Sequence, residues 1–231
     1  LNDFVPAVAI VVAAGSGSRL GADVPKALVE LDGVPMVRRC LDALADGGVT
    51  SVVVTVPASY EARFQEALSG SPVPFRTVVG GARRQDSVRL GAEALAAGNP
   101  ADAVVLVHDA ARPLVPSGVV AHVSRAVAAG AGAVVPAVPV IDSIRELDDL
   151  GSRVVERSRL RAVQTPQGFR LGTLLAAHRH VEAEGIEVTD DAGAAEAIGH
   201  AVTLVPGHRD AMKITEPVDM VLAHAILAGR K

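Results

Sequence analysis

The chain has 231 residues, 49% of them hydrophobic, and a formal net charge of −4, which suits the core of one α/β domain and shows no basic footprint for a nucleic-acid partner. Aromatic residues make up 2%, with no Trp and a single Tyr, which excludes a base-stacking platform and leaves a core of Ala, Val, Leu and Ile. Cys40 is the only cysteine, so no disulfide closes within the chain and a reducing, cytoplasmic setting is expected.

In chain order, short Val-rich runs at 8–12, 51–56, 75–79, 103–107, 133–136 and 201–205 read as buried parallel strands. Amphipathic segments at 36–45, 59–68, 83–97, 116–129, 171–184, 190–198 and 217–227 read as helices, the last with Thr215 as its N-cap. Cys40 shares a helical face with Met36, Val37 and Leu44 and reads as a core thiol rather than a nucleophile. This alternation implies a doubly wound, mostly parallel Rossmann-like sheet in a single domain spanning 1–231, with ligands at the carboxyl ends of its strands. The segment 142–157 departs from the pattern: strand, turn at 148–151, strand, too densely charged for a central position. An isolated hairpin is marginal in water, so 140–160 is expected to project as an arm that packs on a second copy in a homodimer, or to stay a solvated surface hairpin. The longest run of small residues, 126–141, is broken by Gly130, Gly132, Pro136 and Pro139. Neither a membrane span nor a secretory signal is expected.

The first strand leads into Ala13-Ala14-Gly15-Ser16-Gly17-Ser18-Arg19-Leu20, followed by Pro25-Lys26. Side chains this small let backbone N–H groups approach an anion, and two cations neutralise charge that the backbone cannot. Only Lys26, Lys213 and Lys231 are lysines among 22 basic residues, so a compact ammonium at this loop is informative. Two common phosphate loops fail on spacing. A Walker A loop requires Gly-Lys where Leu20 stands, and the dinucleotide fingerprint requires Gly or Ala there.

The loop resembles the signature of nucleotidyltransferases that make nucleotide diphosphates of sugars and alcohols. Further along come Gly80-Gly81-Ala82-Arg83-Arg84-Gln85-Asp86-Ser87, His108-Asp109-Ala110-Ala111-Arg112-Pro113, Gln164-Thr165-Pro166-Gln167-Gly168-Phe169, Thr189-Asp190-Asp191 and Met212-Lys213-Ile214-Thr215. In this order, across nearly the whole chain, they resemble the 2-C-methyl-D-erythritol 4-phosphate cytidylyltransferase family of the non-mevalonate route to isoprenoid precursors.

The resemblance implies a nucleotide-diphospho-sugar transferase type of fold and transfer of CMP from CTP to methylerythritol phosphate, with release of pyrophosphate. It implies Arg19, Lys26, Arg157 and Lys213 as catalytic residues, the first two stabilising the transition state and the other two holding the incoming phosphate. Arg157 lies on the arm and would reach the other subunit's site. Ala13, Ala14, Gly15, Gly81, Ser87 and Ala110 would bind the nucleotide, and Asp109, Arg112, Ser143, Thr165 and Thr189 the methylerythritol phosphate. Mg²⁺ is the expected cofactor, held mainly by the CTP phosphates with Asp109 as a possible ligand. Ala82 stands where the family often has Asp, which removes one side chain from the base. Thr189 reads equally as a helix N-cap, and a cap is the lesser alternative for Asp109 and Ser87. His122, His178, His180, His200, His208 and His224 show no zinc spacing and read as surface or structural. Three alternatives stay open: a ribitol-5-phosphate cytidylyltransferase, a sugar-1-phosphate nucleotidyltransferase, and a catalytically silent nucleotide-binding module.

Overall fold

A computed structural model of the chain describes residues 5–15, 21, 23–149 and 151–230. In chain order the strands are β1 (Ala7–Val12), β2 (Glu30–Leu31), β3 (Val34–Pro35), β4 (Val49–Val56), β5 (Phe75–Val79), β6 (Val104–Asp109), β7 (Ala133–Pro139), β8 (Ile144–Asp148), β9 (Gly151–Val155), β10 (Arg161–Val163), β11 (Gln167–Arg170) and β12 (Val202–Pro206). The helices are α1 (Met36–Asp46), α2 (Glu61–Ala67), α3 (Arg84–Ala96), α4 (Ser117–Ala128), α5 (Leu171–Ala183), α6 (Asp191–Ala197) and α7 (Pro217–Gly229).

An eight-stranded sheet holds the fold together. Its parallel half runs β5-β4-β1-β6, and beyond β6 comes the antiparallel β11, then β7, with β12 parallel on the far edge of β7. β10 pairs with the end of β7 on the same edge as β11. The alternation of side chains along a strand sorts the core into two layers. Ala7, Ala9 and Val11 of β1 and Val104 and Leu106 of β6 meet Leu41 and Leu44 of α1, Phe64 of α2, and Val120, Val123 and Val127 of α4. The intervening Val8, Ile10, Val105 and Val107 meet Val88, Ala92 and Leu95 of α3 and Leu171 and Leu174 of α5. Four Phe and one Tyr leave these layers almost wholly aliphatic, and both Phe64 and Phe169 are fully buried.

The expected parallel strands are all present, within a few residues of their predicted ends. The sequence reading did not anticipate β2, β3, β10 and β11; in β11, Gln167, Gly168 and a neighbouring Pro lack the Val-rich pattern of the other central strands. β11 becomes a strand because β6 and β7 flank it on both sides and supply its hydrogen-bond partners. Gly168 is required there: a Cβ would stand 2.5 Å from Val123 Cγ1 of α4.

The segment 142–157 forms the expected hairpin. β8 and β9 make a two-stranded sheet of their own, in register from Ile144 with Val155 to Asp148 with Gly151. Its residues are largely exposed, Leu147 and Val154 among them at 80% and 67%. Two caps differ from expectation. Asp190, not Thr189, caps α6 by accepting from Gly193 N at 2.9 Å. Glu216 is the N-cap residue of α7, and Thr215 instead donates through N and Oγ1 to Asp219, 2.7 and 2.8 Å away. Among the described residues no helix is long and apolar enough to cross a membrane.

Candidate active site

The carboxyl ends of β1, β5 and β6 open onto a cavity of about 320 Å³. Val12 to Gly15 line one side, Gly81 to Arg84 and Ser87 another, Asp109 to Ala111 the floor, and Lys26, Ala27, Lys213 and Thr215 the remaining wall. Among the described residues, the charged ones lining it are Lys26, Arg83, Arg84 and Lys213 with the carboxylate Asp109. Arg83 is itself paired with Asp86 at 2.7 Å, and the remaining excess of positive charge in the lining suits an anionic ligand.

The backbone explains why small residues stand here. Ala13 N–H donates to Thr55 O at 2.9 Å, Gly80 N–H to Val56 O at 2.9 Å and Ala110 N–H to Val12 O at 3.1 Å. These bonds prolong the sheet into the pocket and hold its three loops side by side, so the N–H of Ala13 and that of Ala110 serve the fold. A Cβ on Gly80 would lie 2.5 Å from Ala14 Cβ and 2.8 Å from Ser87 Oγ. Ser87, in the first turn of α3, accepts from Gly81 N–H at 3.1 Å and donates to Arg83 O at 3.3 Å. Its hydroxyl therefore fixes the Gly80–Gly81 turn, and the start of the helix is capped instead by Asp86, which accepts from Arg83 N–H.

Asp109 is the electrostatic centre. Arg84 Nε donates to Oδ1 at 3.0 Å, Lys213 Nζ to Oδ2 at 2.9 Å, and Arg112 Nε stands 4.0 Å from Oδ2. Burial pushes this carboxyl upward, but Arg84, Lys213 and Arg112 outweigh it and hold it well below the usual carboxylate range. Lys213 arrives through a docked segment: Ile214 N–H donates to Ala111 O at 2.8 Å, and Arg112 Nη1 to Ala211 O at 2.7 Å. Lys26 is drawn to the same segment, its Nζ 2.8 Å from Ile214 O.

Beneath the floor, Asp109 N–H donates to Thr165 Oγ1, Thr165 Oγ1 donates to His108 Nδ1, and His108 Nε2 donates to Arg112 O, at 3.0, 3.0 and 3.1 Å. The two carbonyl and hydroxyl partners fix the His108 tautomer, and burial pushes its pKa down to about 4, so the ring is neutral.

Of the residues expected from sequence, Ala13, Ala14, Gly15, Lys26, Gly81, Ser87, Asp109, Ala110 and Lys213 come together around one cavity. Arg112 and Thr165 do not line it; they brace the floor from behind. Ser143, Arg157 and Thr189 are exposed and outside it, and Arg157 reaches from beyond β9 to the carbonyl of Ile141. Arg19 lies outside the described residues. Arg83 and Arg84 line the cavity and were not among the residues expected from sequence. The signal was there, an arginine pair opening a helix after a Gly-Gly turn, but only the fold brings Arg84 to Asp109.

Among the described residues no three His, Cys, Asp or Glu side chains converge as a metal cage. One pocket carboxylate is a donor set that fits a Mg²⁺ carried by substrate phosphates.

Comparison with known proteins is consistent along the chain. The family model for 2-C-methyl-D-erythritol 4-phosphate cytidylyltransferase matches residues 7–229. The protein of that name from Saccharopolyspora erythraea is 48% identical, covering 96% of this chain and 99% of its own length, and that from Streptomyces coelicolor is 46% identical, covering 96% and 85%. The crystal structure of the Thermus thermophilus protein, also so named, superposes with a TM-score of 0.79 at 36% identity over 96% of this chain and 99% of that one.

Proposed function

The chain belongs to the 2-C-methyl-D-erythritol 4-phosphate cytidylyltransferase family, and from that premise we propose how the pocket residues divide the work of its reaction. The enzyme transfers CMP from CTP to 2-C-methyl-D-erythritol 4-phosphate, giving the diphosphocytidyl alcohol and pyrophosphate, a step toward isoprenoid precursors. A phosphate oxygen of the alcohol forms the new bond to the α-phosphorus of CTP, and the bond to the pyrophosphate oxygen breaks. The nucleophile is already anionic, so no proton is removed, and alignment and charge neutralisation carry the catalysis.

The observation that carries this reading is one cavity at the carboxyl ends of three parallel strands, lined by Lys26, Arg83, Arg84 and Lys213 together with Asp109. In this reading Lys26, joined by Arg19 of the same segment, meets charge developing on the reacting phosphate, and Lys213, held by Asp109, meets the incoming phosphate. The exposed edges of Ala14 and Gly15 and the Gly81–Ala82 turn receive the nucleotide. Asp109 binds substrate hydroxyls or shares a Mg²⁺ that, bound to the triphosphate, would spread its charge over the leaving group.

The arm belongs to the same reading. Ile144, Leu147 and Val154 expose apolar side chains on a hairpin too small to be stable alone, which supports a homodimer in which Arg157 and Ser143 serve the partner's pocket. A cytoplasmic setting fits a lone, buried thiol at Cys40. The test is release of pyrophosphate from CTP with methylerythritol phosphate and with ribitol 5-phosphate in turn. Turnover with the first is expected; turnover with ribitol 5-phosphate alone would overturn the assignment of the alcohol.

A further inference from the structure

Behind the pocket floor lies a buried pair, Asp191 and His178, outside the cavity lining. Arg84 divides its guanidinium between two carboxylates. Nε donates to Asp109 Oδ1 at 3.0 Å, and Nη2 to Asp191 Oδ2 at 2.8 Å. Asp191 opens α6 and is fully buried. Its other oxygen, Oδ1, meets His178 Nε2 of α5 at 3.1 Å, and His178 is buried as well.

The far end of this chain is itself fixed. Gln167 Oε1 of β11 accepts from Asp191 N–H and Ala192 N–H at 3.1 and 3.0 Å, and its Nε2 donates to Asp190 Oδ2 at 2.9 Å. Gln85, beside Arg84, donates to Ile186 O at 3.0 Å and accepts from Val188 N–H at 3.2 Å. The start of α3 and the start of α6 are thus tied at two adjacent points. Burying Asp191 penalises its charged form, and Arg84 together with His178 more than reverses this. Such an arrangement is a weak source of stability. What it supplies is direction, since a guanidinium anchored at both ends cannot swing away from Asp109. With Oδ1 of Asp109 occupied by Arg84, Oδ2 is turned toward Lys213 at 2.9 Å.

We propose that Asp191 and His178 are positioning residues for the reaction: acting through Arg84, they fix the Asp109 carboxylate and, through it, the place of Lys213 in the pocket. Neither residue touches substrate, and both lie outside the cavity lining. The inference rests on the reading of the cavity as the site of CMP transfer.

A double-mutant cycle tests it. kcat/KM for both substrates is measured well below the melting temperature for Asp191→Asn, His178→Gln, Arg84→Met and the two doubles that combine Arg84→Met with each of the others. Asp191→Asn is expected to lower kcat/KM about tenfold, as removal of an outer supporting partner does. His178→Gln should act in the same direction and less. In the Arg84→Met background each should add about twofold or less, because the strut is already gone. A structural role alone would lower Tm and leave kcat/KM of the folded enzyme unchanged, and that outcome overturns the proposal. So do losses that multiply in the doubles as if independent. Where Asp191→Asn does not fold, the His178→Gln cycle decides by the same criteria. A wild-type enzyme that releases no pyrophosphate would instead refute the functional reading, which separates the two failures.

Discussion

Two lysines share one end of the sheet but hold different partners. Lys213 is paired with the Asp109 carboxylate, and Lys26 bonds the carbonyl of Ile214. A group that meets charge only as the reaction proceeds affects turnover more than binding. Lys26→Ala should therefore lower kcat by about 10²–10³-fold, with a far smaller change in the CTP dissociation constant measured calorimetrically; equal losses would argue against a transition-state role. His108 gives a prediction on pH. Its folded pKa is depressed from 6.5 to about 4, so the unfolded chain takes up a proton that the folded one refuses. Its contribution to stability is whole above the unfolded pKa and is lost as pH falls toward the folded one. Denaturant titrations at pH 7 and 5 should show a loss of about 2 kcal/mol from this group. That loss should be missing in His108→Gln. The motif containing His108 was visible in the sequence, but its role was not. Nothing in a linear chain says that Thr165, 57 positions away, supplies the hydroxyl that holds it.

At the scale of elements, legibility followed composition. The Val-rich strands β1, β4 and β6 are buried on both faces and announce themselves as apolar runs. β11 is equally central yet carries no apolar run, because its strand character comes from neighbours and not from propensity. Its packing is tight: any side chain at Gly168 meets Val123 and Val127 of α4. Gly168→Val should cost about 1–3 kcal/mol by overpacking, measured by chemical denaturation, and a neutral result would show that α4 moves freely. The arm was legible for the opposite reason. Its alternating charges in 142–157 are wrong for any buried position, so they mark a strand pair outside the sheet. The arm's inner contacts, such as Arg153 Nε to Glu146 Oε2 at 2.7 Å, are exposed ion pairs of small worth.

At the scale of the whole molecule, the pocket and the arm stand apart in one chain, since Arg157 and Ser143 lie outside the cavity that the other site residues line. The homodimer reading closes that gap with a second subunit. Mixing Arg157→Ala with Lys26→Ala protein should then restore part of the activity that each lacks alone, as one pocket of each mixed dimer regains both residues. Pyrophosphate release on titrating one variant into the other measures it, and mixed dimers that stay inactive would remove Arg157 from the partner's site. The sequence by itself determined the family, the alternating architecture, the Val-rich strands and most of the cavity's residues. These are carried by local patterns: apolar periodicity, glycine where backbones must touch, and motifs whose spacing is fixed by one loop. Only the tertiary structure decided that Arg84 is the hub of Asp109 and Asp191, that Thr165 and Arg112 brace rather than line the pocket, and that β11 divides β6 from β7. Each of these depends on hydrogen bonds and burial between residues distant in the chain, and such contacts exist only once the sheet has closed around them.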